Sequence, residues 1–134
     1  MKLTPLLADL RALEQRLAAV YRTAAQVHVE ERDVHYQSLT FAEQCDRHAE
    51  VLAGGGRAET AAPLTGDLLE DLRTLVLLAT EVSTTWIVAG QAAQALRDQA
   101  LLETVRRCHE EAELHVKWLT TRLKDAAPQA LVVG

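Results

Sequence analysis

Two carboxylates and two imidazoles recur along this chain at matched spacing. Glu14 and His48 are 34 residues apart, Glu81 and His115 are 34 apart, and the pairs are offset by 67 in a sequence of 134 residues. All four fall on apolar helical stripes, where an acid or an imidazole costs free energy unless something satisfies it. Convergence on a shared metal ion would satisfy all four.

The elements that must position them read as helices throughout. Gly and Pro punctuate the ends and the middle (Pro5, Gly54, Gly55, Gly56, Pro63, Gly66, Pro128), with Gly90 the one exception. Between them the chain is rich in Ala, Leu, Glu, Arg and Gln, which predicts an all-α fold. Helix one is expected over about 4–29, capped by Thr4 before Pro5, with the stripe Leu3, Leu7, Leu10, Glu14, Leu17, Tyr21, Ala24, His28. Helix two, over about 33–53, takes Asp33 as its cap and the stripe Val34, Ser38, Phe41, Cys45, His48, Leu52. Helix three, over about 67–96, is capped by Asp67 with Glu70, and its stripe is Thr74, Leu78, Glu81, Thr85, Val88, Ala92, Ala95. Helix four, over about 98–125, begins at Asp98 and carries Leu101, Val105, Cys108, Ala112, His115, Leu119, Leu123.

The breaks near Glu31 and Asp98 are short, which makes helices one and two, and helices three and four, antiparallel neighbours. The middle linker, about a dozen residues at roughly 3.3 Å each, can cross a whole bundle, so helices two and three can run parallel. Glu14 and His48 are centred on Glu31, and Glu81 and His115 on Asp98, so both pairs can meet at one level.

Composition excludes several classes. At 134 residues, 49% of them hydrophobic, the chain is a single domain with a core that needs no disulfide or metal staple. The net charge is -5 and basic residues are scattered among acidic ones, which argues against a nucleic-acid partner. Asp9 and Glu14 interrupt what would be a secretory leader, and the longest apolar run, Leu75 to Ala79, is too short to span a membrane. With only Cys45 and Cys108, both within helical pattern, reduced thiols and a cytoplasmic location are expected.

Two helix pairs, a long crossover, Glu14 and Glu81 in helices one and three, and His48 and His115 in helices two and four resemble the ferritin-like superfamily over the whole chain. Tyr21 falls where rubrerythrins and bacterioferritins often carry a tyrosine beside the metals. The stretch from His109 to His115 looks like the fourth helix of the smaller stress-associated bundles. The resemblance implies a ferritin-like four-helix bundle in metal handling or oxidative stress, with Glu14, His48, Glu81 and His115 as metal ligands. Departures accompany it. Where the family's Glu-x-x-His motifs place a glutamate, this chain has Cys45 and Ala112, so both bridging carboxylates are missing and a full di-iron site is not expected. Two Glu and two His could still hold one ion of iron, zinc or manganese. Gln44 and Glu111, four residues before each histidine, lie about 40° off the stripe, so Glu111 could swing in, while Cys45 could supply a thiolate.

Blander readings exist for each. Glu14 could reach solvent beside Arg11 or Arg22, and His48 and His115 could be core histidines bonded to Glu14 and Glu81 with no metal. Cys45 and Cys108 read as small core residues. His28, His35 and His109 are expected to be exposed near helix ends, and Trp86 and Trp118 to be packing or interface anchors. Three functions follow: a small metal-binding bundle; a metal-free relative acting as a structural or partner-binding module; or an oxidase or peroxidase using Tyr21 beside a redox metal. Because Leu75 to Leu78 and Ile87 to Ala89 make helix three apolar on more than one face, a homodimer through that helix is expected.

Overall fold

The computed structural model describes residues 2–54 and 64–133. Gly55, Gly56 and Pro63, read above as part of the crossover, lie outside the described residues. Four helices make up the described chain, with no strand among them: α1 (Leu3–Val27), α2 (Arg32–Glu50), α3 (Leu68–Ala95) and α4 (Gln99–Pro128), closed by a wider π-type turn at Gln129–Val133.

Helix starts follow local chemistry, with two corrections. Asp67 accepts the Glu70 N–H (2.9 Å) and Asp98 the Leu101 N–H (3.1 Å), as expected of caps. Thr4 does not cap α1, which already begins at Leu3; Pro5 sits in the first turn, where its missing N–H had no helical partner to lose. Asp33 lies inside the first turn of α2 and instead takes the Arg122 guanidinium at 2.7 Å.

Facing pairs give the topology. Glu14 meets Trp86 and His28 meets Asp71, so α1 runs against α3; Gln44 meets His115 and His48 meets Glu111, so α2 runs against α4. Each of α2 and α3 is thus antiparallel to α1, and the two are parallel to one another across the crossover. The far end of that crossover is tied down by Asp71. Its carboxylate accepts the Thr65 N–H (2.7 Å), the Thr65 hydroxyl (3.2 Å), the Gly66 N–H (3.0 Å) and His28 Nε2 (2.7 Å). Gly66 turns there with φ of 90°, a conformation open to glycine and costly elsewhere. Gly90 has a packing reason, since a Cβ there would stand 3.2 Å from Val105 where α3 and α4 approach.

The buried stripes of α1, α2 and α4 fall on the expected positions, but that of α3 does not. It buries Leu72, Leu75, Ala79, Val82, Trp86, Ala89 and Ala93, one residue further along than expected. One residue is a rotation of about 100°. Burying Trp86 and the leucines removes more apolar surface from water than burying Thr74, Glu81 and Thr85 would, and spares a carboxylate its desolvation. By length and composition α3 is apolar enough to cross a membrane. In the bundle one face of it packs against α1 and α4.

Candidate functional site

At mid-height the interior turns polar around Glu14, whose side chain is fully buried. Its Oε2 receives His48 Nδ1–H at 2.7 Å from α2 and the Trp86 indole N–H at 2.9 Å from α3. Its Oε1 has no hydrogen-bond partner. His48 passes outward through its other nitrogen, with Nε2–H donated to Glu111 Oε1 on α4 at 2.7 Å. Glu111 in turn lies 3.8 Å from Arg47 near the surface.

His115 holds a second array. Its Nδ1 accepts the Tyr21 hydroxyl at 3.1 Å, and its Nε2–H donates to Gln44 Oε1 at 2.7 Å. Phe41 stacks on the His115 ring at 3.8 Å. The two imidazoles are 6.5 Å apart and nearly parallel. Gln44 precedes His48 by one turn and serves His115; Glu111 precedes His115 by one turn and serves His48. The arrays are therefore crossed between α2 and α4.

Burial and neighbouring charge assign the protons. Burial pulls the His48 pKa down, but its hydrogen bonds to Glu14 and Glu111 and their negative charge outweigh it and leave the value above that of an ordinary histidine. A glutamate stands at each ring nitrogen of His48, an arrangement that favours its protonated form. Burial, joined by the His48 charge, pulls His115 down to about 3, so it is neutral and accepts from Tyr21. Burial, then the charges of Cys45 and Glu14, pushes the Tyr21 hydroxyl well up and keeps it a donor. Burial and the Glu14 carboxylate push Cys45 well up too, and burial with Glu14 and Glu111 pushes Cys108 up to about 12. Both are buried free thiols.

Of the expected ligands, Glu14, His48 and His115 come together, with Tyr21, Gln44 and Glu111 bonded to the histidines and Cys45 beside Glu14. Glu81 does not join them. It is exposed on the far side of α3 because of the rotation described above, and only its backbone carbonyl is engaged, by the Thr85 hydroxyl at 2.7 Å. Trp86 takes the interior position instead. The sequence did carry a signal for this, since Trp86 is the sole indole in the apolar run of α3 and its N–H needs an acceptor when buried. His28 is a second correction. It is buried, not exposed, because Asp71 offers an acceptor across the crossover. His35 is partly buried and reaches the Ala25 carbonyl at 2.6 Å.

The donor set does not fit a two-metal centre. Cys45 and Ala112 stand where bridging carboxylates would be needed, Trp86 and not a glutamate faces Glu14 from α3, and no three of His, Cys, Asp or Glu among the described residues form a group that could hold an ion. Glu14 and His48 remain as one adjacent oxygen and nitrogen pair.

No protein-family model matches the chain. No curated protein matches it either. Among solved structures it is similar to a glutamate-to-glutamine variant of PmFTN soaked in iron, with a TM-score of 0.79 at 12% identity, over 99% of this chain and 92% of that one. Four helices paired as two antiparallel hairpins, a long crossover, and this superposition over nearly the whole chain give the protein the ferritin-like four-helix-bundle fold.

Proposed function

We propose that this protein is a ferritin-like bundle without di-metal chemistry, in which a buried Glu/His network locks the four helices and an apolar face of α3 binds a second copy. One observation carries the reading: all four ring nitrogens of His48 and His115 have protein partners, and a single assignment of protons satisfies every one without conflict. Histidines satisfied in this way order a core and need no ion. The α3 face supports the dimer. Leu77 is 68% exposed, and Ile87 and Val88 are 50% exposed, which leaves large apolar side chains on the outer surface of α3 for a second copy to cover. Free buried thiols fit a reducing compartment, and we place the protein in the cytoplasm.

Elemental analysis of the purified protein, with thermal unfolding in added iron, zinc and manganese, tests the first half. Substoichiometric metal and an unmoved Tm are expected; one bound ion per chain with a raised Tm would overturn it. Light scattering tests the second, with a dimer expected for the parent and a monomer for Val88→Asp. A parent that is monomeric at micromolar concentration removes the dimer.

A second reading, metal handling or oxidative-stress defence through one iron, zinc or manganese ion, is favoured by the unpartnered Glu14 Oε1. A buried carboxylate oxygen without a partner asks for one. Glu111 would then hold the outer nitrogen of His48, as carboxylates commonly do for ligating histidines.

A further inference from the structure

Solvated helix faces are rich in charge, and α4 follows that rule with Glu103, Arg106, Glu110, Glu113 and Lys117, all exposed at successive turns. The outer face of α3 does not. Between Arg73 and Arg97 its only charged residue is Glu81, and just 39% of its most apolar stretch is buried within the chain. An outward face depleted of charge, with Leu77, Ile87 and Val88 exposed on it, has the composition of an interface core.

The charges that flank this face differ in sign. Asp67 and Glu70 stand exposed at the start of α3, where Asp67 is fixed as the cap, and Arg97 stands exposed just past its end. Two copies of the helix laid parallel would bring Glu70, Arg73, Glu81 and Arg97 each onto its own counterpart, and every such meeting of like charges costs free energy. Laid antiparallel, the acidic start of one copy meets the basic end of the other. The contact is made twice, because a two-fold axis makes both halves of the interface the same.

The apolar residues fix the register. Leu77 and Val88 are three turns apart and differ by about 20° round the helix, so they share one face. A two-fold axis midway between residues 82 and 83 sets Leu77 of each copy against Val88 of the other. The same axis brings Glu81 level with Thr84 of the second copy instead of with its own counterpart, and Arg97 level with Leu68, beside Asp67 and Glu70. Glu81 lies about 40° round the helix from Leu77, which leaves its carboxylate in water at the rim.

We propose that a second copy docks on α3 antiparallel, about a two-fold axis midway between residues 82 and 83, with Leu77 against Val88 near the centre and Glu70 beside Arg97 at both ends. This rests on the dimer proposed above and gives it an orientation and a register.

Nitroxide labels on Gln94→Cys, at an exposed position on the flank of α3, test it through their separation in the full chain by double electron–electron resonance. Cys45 and Cys108 are buried and do not take the label. The antiparallel pair holds the two labels about 35 Å apart, and a parallel pair would hold them within about 20 Å. A second measurement reads the charges. Glu70→Arg and Arg97→Glu should each weaken the dimer about fivefold in analytical ultracentrifugation, and the double variant should regain most of the parent affinity. A monomeric parent removes the dimer itself and this proposal with it. A dimer whose labels lie within about 20 Å, or whose affinity the charge swap does not restore, keeps the dimer and overturns the antiparallel register alone.

Discussion

Trp86 of α3 donates its indole N–H to Glu14 of α1, at the carboxylate oxygen that also receives His48. A third-helix aromatic donor thus stands at the level where a two-metal bundle would bring a carboxylate. The buried Glu14 side chain is held there by two hydrogen bonds, one from the indole and one from His48.

Removing that donor should be costly. Trp86→Phe keeps most of the ring volume and leaves Glu14 with one fewer partner in a fully buried site. A loss of about 1–3 kcal/mol is expected from urea unfolding. A loss below about 0.5 kcal/mol would show that the bond contributes nothing net.

Glu81 should be dispensable. It is exposed on α3, so Glu81→Ala is expected to change stability by less than about 0.5 kcal/mol and to leave metal content untouched. A change in bound metal on this substitution would place its carboxylate at the site after all.

Stability should pass through a maximum near neutral pH. His115 has a folded pKa of about 3, far below the unfolded value of roughly 6.5, so between those values the unfolded chain holds the extra proton and stability falls as pH falls. The His48 pKa is raised, so its contribution is full below the unfolded value and is lost as pH rises through the folded one. Denaturation midpoints from pH 4 to 9 check both limbs. His115→Gln should flatten the acid limb and spare the alkaline one; an unchanged acid limb in that variant contradicts the assignment.

Asp71 should be the strongest single tie between the crossover and the bundle. Burial raises its pKa, but the Thr65 N–H, His28 and the Gly66 N–H together hold it below the ordinary carboxylate value. Its contribution is therefore present above the unfolded carboxylate pKa and is lost as pH falls through the folded one. Asp71→Ala strands His28 and two backbone N–H groups, and about 3 kcal/mol of destabilisation is expected. Hydrogen exchange at the Thr65 and Gly66 amides should quicken in the same variant, and unchanged protection there would refute the tie.

Three of the four buried stripes, and the meeting of Glu14 with His48, were legible in the sequence. On α1, α2 and α4 only one face is apolar, so periodicity alone states which residues turn inward. The short breaks at Glu31 and Asp98 and the long one between α2 and α3 likewise dictate which neighbours run antiparallel. On α3 several faces are apolar, and there periodicity leaves the rotation open. Tertiary packing decided it by burying the largest side chain, Trp86, which carried Glu81 out to solvent. The crossed service of Gln44 to His115 and Glu111 to His48, and the meeting of His28 with Asp71 across 43 residues, were also decided only in three dimensions. Each joins side chains on different helices through the relative height and rotation of those helices. No spacing along a single chain segment encodes that quantity, because it is set by how all four apolar faces fill one shared core.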